Sequence, residues 1–135
     1  MASIFTKIIN GEIPCYKIAE NDKFLAFLDI NPLQAGHTLV IPKQEIDVFF
    51  DLPDNLLAEI MVFAKPISEA IKEFSGCNRV GVTVIGLEVP HAHVHLIPIN
   101  GMNDMNFANP KKVFTPEEFQ KIATTLRENV EKRLG

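Results

Sequence analysis

The stretch Pro90-His91-Ala92-His93-Val94-His95-Leu96-Ile97-Pro98 constrains this chain more than any other. Histidine alternates there with apolar residues, a period of two that suits an extended strand. In a strand running from Ala92 to Ile99, His91, His93 and His95 project from one face while Ala92, Val94 and Leu96 turn to the core. The chain holds four histidines in 135 residues, so His-x-His-x-His arises by composition in only about three such chains in a thousand. Three explanations are open. A solvated strand face can be histidine-rich without consequence. Neutral imidazoles two residues apart can share a zinc ion. A neutral imidazole, with an unperturbed pKa of about 6.5, can also attack phosphorus and form a phosphoramidate. The flanking residues offer Glu88 as the one carboxylate and no cysteine.

The rest of the chain frames that strand. Ile4, Phe5, Ile8 and Ile9 stand at helical spacing and Asn10-Gly11 ends the run. Cys15 to Ile18 and Lys23 to Leu28 flank Glu20-Asn21-Asp22 and read as a hairpin, and His37 to Pro42 reads as a third strand. From Pro53 to Phe74 apolar residues recur at three- and four-residue steps, an amphipathic helix closed by Gly76 and interrupted by Pro66, which should kink or split it. Arg79 to Ile85 and Ala92 to Ile99 supply two more strands. Asn100 to Lys112 is polar and reads as loop. Thr115-Pro116-Glu117-Glu118 is a capping box that opens a last helix reaching Leu134. Helices and strands do not alternate strictly, so the fold class is α+β with a largely antiparallel sheet.

A chain of this length is expected to form a single domain, residues 1–135. Its net charge of −4 comes with no basic run, which argues against a nucleic-acid partner. The longest uncharged apolar stretch is far shorter than the roughly 20 residues of a membrane span. The first residues lack the basic and apolar regions of a secretory signal, so no membrane association and a cytoplasmic location are expected. Cys15 and Cys77 stand far apart, which suggests buried free thiols rather than a disulfide or a thiolate metal site.

Four blocks then carry a resemblance. His91 to Ile97 looks like the signature of the histidine triad (HIT) family of nucleotide hydrolases and transferases. Ile4 to Pro14 resembles that family's opening segment, and Phe27 to Pro32 and Gly36 to Lys43 resemble its next two blocks. The resemblance implies a five-stranded antiparallel sheet with two main helices, and a homodimer in which two sheets become continuous. It implies a purine nucleotide substrate, a nucleoside 5′-phosphoramidate or related mixed anhydride. His93 would attack the α-phosphorus, His95 would hydrogen-bond the phosphate, and His91 would position the nucleophile through its backbone carbonyl. His37 matches the histidine beside the triad, Asp29 the carboxylate that accepts from ribose hydroxyls, and Ile4, Phe5, Ile8 and Ile30 the apolar walls around the purine.

The chain departs from the family at two places. The family approaches the triad through Gly-Gln-Ser/Thr-Val, but this chain has Gly86-Leu87-Glu88-Val89, so Glu88 stands where a hydroxyl would donate to the phosphate. Some bacterial members hold structural zinc through a Cys-x-x-Cys and a histidine. Ser3, Thr6 and Glu45 occupy those positions here, so no metal and no cofactor are expected. Two rival readings remain beside the hydrolase: a nucleotide-binding module with weak catalysis, and a zinc-dependent hydrolase.

Overall fold

Residues 2–134 of the chain are described by a computed structural model. In chain order they form helix α1 (Ile4–Ile9), strands β1 (Lys17–Glu20), β2 (Phe24–Leu28) and β3 (Thr38–Pro42), helix α2 (Asp54–Ser75), strands β4 (Arg79–Thr83) and β5 (Val94–Ile99), and helix α3 (Pro116–Leu134). Asn21 starts the first hairpin: its Oδ1 accepts the N–H groups of Lys23 (2.9 Å) and Phe24 (2.8 Å), which turns the chain from β1 into β2. The five strands make one sheet in the order β1-β2-β3-β5-β4. Every neighbouring pair is antiparallel. The α+β architecture with a five-stranded antiparallel sheet and two main helices is the one expected.

Helices α2 and α3 cover one face of the sheet. Ile60, Ile67, Ile71 and Leu126 pack there against Phe24, Ala26, Val40, Val94 and Leu96, all buried. The other face carries a smaller cluster of Phe5, Leu25, Phe27, Leu39 and Ile41. With both faces covered, β2 and β3 are buried along their whole length, and each fully buried Leu, Ile or Phe contributes about 1.5–3 kcal/mol. Strand alternation sends Val94 and Leu96 to the helix side and leaves His93 and His95 for the other.

Helix α2 ends as its sequence predicts. Gly76 adopts a left-handed conformation at φ 68° and its N–H returns to the Lys72 carbonyl, which a residue with a Cβ would do under strain. Pro66 does not split the helix, which continues through it. The carbonyl of Val62, deprived of its donor, belongs to a residue on the solvent face, open to water. Thr115 and Glu118 form the expected capping box at α3, each side chain accepting the other's backbone N–H.

Three expectations are corrected. Strand β5 starts at Val94 rather than Ala92, because the N–H of His91 bonds to Val89 and that of Ala92 to Ile46, outside the sheet. Strand β4 stops at Thr83 rather than Ile85, because Thr83 opposite His95 is its last pairing with β5. Cys15 is only half-buried, whereas Cys77 is buried; both are free. The polar segment after β5 is more ordered than a plain loop. Met102–Met105 form a 3-10 turn, held by Asp104 accepting from the N–H groups of Asn100 and Gly101. Met105 lies so close over Gly81 that a Cβ there would meet its sulfur at 2.6 Å. Among the described residues no helix is long and apolar enough to cross a membrane.

Candidate active site

All four histidines gather where β3 and β5 lie side by side, and their hydrogen bonds fix where each proton sits. His91 is fully buried. Its Nε2 is 2.8 Å from the Pro42 carbonyl, which can only accept, so Nε2 carries the proton. Nδ1 of the neutral ring then accepts from the Ser3 hydroxyl at 2.8 Å. The backbone carbonyl of His91 accepts from Nδ1 of His93 at 2.7 Å. A neutral His93 therefore keeps a bare lone pair on Nε2.

The other pair is set from the opposite end. The N–H of Leu33 donates to Nδ1 of His37 at 3.0 Å, so the proton of neutral His37 sits on Nε2. That nitrogen lies 2.9 Å from Nδ1 of His95 and donates to it. His95 must then carry its own proton on Nε2. Burial holds both rings neutral, pushing His37 down to about 4 and His95 down to about 4; burial also lowers His91. The chain of contacts leaves one acceptor nitrogen on His93 and one donor nitrogen on His95, on rings whose centroids are 5.0 Å apart.

These two rings line a cleft of about 490 Å³, within the usual range for a small-molecule site. Ile4, Phe5, Ile8, Asp29, Ile30 and Glu88 line it as well. His91 and His37 do not: they stand behind the lining, so the expected single face of three imidazoles is corrected to two rings in the cleft, each with a histidine supporting it. The cause is the strand's late start, which turns His91 toward Pro42 and Ser3. Phe5 packs edge-on against His93, with centroids 5.1 Å apart, and so joins the apolar lining to this ring. Asp29 has one oxygen accepting from the N–H of Asn31 at 2.8 Å and the other 3.5 Å from Nε2 of His37. Its carboxylate thus both caps a turn and faces the cleft.

Ser3, Thr6 and Glu45 are brought together with His91. Glu45 accepts from the N–H of Ser3 (2.7 Å) and the hydroxyl of Thr6 (2.6 Å), and these bonds hold its carboxyl down to about 2. Ser3 and Thr6 offer neutral hydroxyls in place of thiolates, a poor donor set for zinc. Asp29, His37 and His95 also bring ligand atoms within 4.8 Å of one another. A metal on Nε2 of neutral His37 would move that ring's proton to Nδ1, against the Leu33 N–H, so the trio fits a hydrogen-bonded chain better than an ion.

Sequence reasoning missed several lining residues. Phe27 and Leu39 belong to strands and give no local signal of facing a ligand. Cys15 and Asn31 lie beside recognised positions. Phe107 and Lys111 come from the segment Asn100 to Lys112, whose composition reads only as loop.

A two-layered α+β sheet with two hydrogen-bond-oriented imidazoles opening into a mostly apolar cleft defines a small-molecule site built for acid–base or nucleophilic chemistry. The HIT domain model matches residues 10–102, and the chain belongs to the histidine triad family. It is 36% identical over 135 residues to an uncharacterised HIT-like protein of Borreliella burgdorferi, covering 94% of this chain and 97% of the relative. It is 34% identical over 133 residues to a Schizosaccharomyces pombe protein named adenosine 5′-monophosphoramidase hnt1, covering 96% of this chain and 99% of the relative. Among solved structures it resembles a HIT-like protein of Bartonella henselae with a TM-score of 0.81 and 29% identity, covering 94% of this chain and 95% of that one.

Proposed function

We propose that the protein cleaves purine nucleoside 5′-phosphoramidates or related nucleotide anhydrides through a nucleotidyl group carried on His93. The observation that carries this reading is the tautomer set: His93 presents a bare nitrogen to the cleft while His95 presents an N–H beside it. Attack by Nε2 of His93 forms the N–P bond as the bond to the leaving group breaks, an oxyanion departing with its electron pair and an amine departing with a proton drawn from solvent, and the N–H of His95 offsets charge growing on the phosphate. Water then resolves the intermediate. Ile4, Phe5, Ile8 and Ile30 serve as apolar walls for the base, and Asp29 accepts from the ribose hydroxyls. The activity named for the S. pombe relative supports the same class of substrate. Rapid quench of the enzyme with a labelled nucleoside phosphoramidate, followed by peptide mass spectrometry, should find the nucleotidyl group on His93; a label elsewhere, or none during steady turnover, sinks the reading.

Glu88 is the feature that favours a weaker enzyme. It is exposed at the edge of the cleft, where an ionised carboxylate accepts but cannot donate and repels the substrate's phosphate. Glu88→Ser should therefore raise kcat/KM at pH 7 by about tenfold. A lower kcat with loss of the basic limb of the pH profile would instead make Glu88 the general acid.

The same reading includes a homodimer. β4 is an edge strand of the sheet with Val82 exposed upon it, a free edge that a second copy can extend. Sedimentation at micromolar concentration should show twice the 15.1 kDa chain mass; a monomer there would exclude it.

A further inference from the structure

The cleft ends in a feature that the chemistry above does not use. Phe5, His93, His95 and Phe107 form a row of T-shaped, edge-to-face contacts, successive centroids 5.1, 5.0 and 5.0 Å apart. Lys111 closes this row, its Nζ 5.9 Å over the Phe107 ring. An ammonium has three N–H donors. Those of Lys111 reach the carbonyls of Phe107 and Asn109, which leaves one for a ligand.

The segment holding Lys111 is fixed before any ligand arrives. Met105 rests on Gly81, Asn109 Nδ2 donates to the Asn103 carbonyl at 2.7 Å, and the N–H of Lys112 donates to the Pro32 carbonyl at 2.8 Å. Among the described residues lining the cleft Lys111 is the one lysine or arginine, against the carboxylates of Asp29 and Glu88. A cation set among two anions changes ligand choice strongly, because the lining offers no other lysine or arginine to a second negative charge.

Direction matters as much as charge. When a nucleophile attacks phosphorus in line, the leaving group departs on the opposite side. Lys111 stands over Phe107, which borders His95, in the cleft that His93 also lines, so a leaving group that departs along this row meets its ammonium. We propose that Lys111 is a specificity-determining residue that receives an oxyanion attached to the α-phosphorus, so that the protein favours nucleotides whose leaving group is phosphate or sulfate. This rests on the nucleotide reading of the cleft. The step balances without an added proton: the His93 Nε2–P bond forms, the P–O bond to the leaving group breaks, and the electron pair departs on that oxygen as a free anion. An amine leaving group takes a proton and departs neutral, so it presents no anion for a lysine cation to hold.

Calorimetric titration of AMP, ADP and adenylyl sulfate into His93→Gln protein, which lacks the attacking nitrogen, reads this without turnover. That protein should bind ADP or adenylyl sulfate about tenfold more tightly than AMP. Adding Lys111→Gln should erase that preference while leaving AMP affinity within twofold, and Lys111→Arg should keep most of it. A Lys111-dependent gain with either ligand supports the proposal and names the oxyanion. Equal binding of all three nucleotides, or an equal loss of all three on Lys111→Gln, overturns the assignment of Lys111 and leaves the nucleotide site standing. Failure to bind any of them overturns both.

Discussion

Replacing His93 by alanine should lower turnover of a nucleoside 5′-phosphoramidate by at least about 10³-fold while nucleotide affinity stays within a few-fold. The separation follows from where the ring stands. Its Nδ1–H is committed to the His91 carbonyl at 2.7 Å, so its contribution to the cleft is one lone pair. In the proposed reaction, removing it deletes bond formation to phosphorus. The apolar walls of Ile4, Phe5 and Ile8, the Asp29 carboxylate and the His95 N–H remain in place. Phe5 loses an edge contact with the ring, which accounts for the small change expected in affinity. Steady-state kinetics paired with calorimetric binding of AMP reads both quantities. A variant that keeps the parent rate would end the covalent mechanism, and one that loses binding and rate together would show that His93 mainly shapes the cleft.

The sequence shows the strand that carries His93 and His95 but not the arrangement behind it, and the reason is physical. Alternation over Val94 to Ile99 is a local pattern, and Val94 and Leu96 go to the helix side as that pattern requires. The periodicity of Leu56, Ile60, Ile67 and Ile71, with Gly76 beyond it, equally fixes α2 within a residue or so. His91 escapes the pattern because its partners, Ser3 and Pro42, are 88 and 49 residues away. Such contacts follow from tertiary packing and leave no periodic trace. Ser3, Thr6 and Glu45 looked merely like positions lacking metal ligands, yet their hydroxyls and carboxylate tie α1 to His91. Phe107 and Lys111 were invisible for the opposite reason: a turn stabilised by Asn and Asp side chains carries composition but no face. What local chemistry dictates was legible. What two distant segments make together was not.

Stability should fall as pH drops from about 6.5 toward 4, well before the usual acid unfolding range, because of His37 and His95. Burial is the largest cause of both shifts. For His37 the charge of Lys111 adds to it, and for His95 the neighbouring His37 and His93 do, with Asp29 opposing. In the unfolded chain each ring takes a proton near 6.5, whereas in the folded protein it resists down to about 4. The unfolded state therefore binds more protons throughout that window, and linkage removes stability as pH falls. A single group with that displacement is worth about 3 kcal/mol at the bottom of the window, and the pair less than twice that, because one hydrogen bond joins them. Above about 6.5 neither ring contributes a pH dependence. Glu45 acts in a separate window: with its carboxyl held down to about 2, what it contributes is lost only below the usual carboxylate range. Urea unfolding at pH 7.5, 5.5 and 4.5 should show a falling midpoint, and His37→Asn should start less stable at pH 7.5 but decline less steeply. A flat midpoint across these pH values, or the same slope in His37→Asn, would mean that the two rings take up protons in the folded state, and with them the tautomer set that leaves a donor nitrogen on His95 and a bare nitrogen on His93 would be lost.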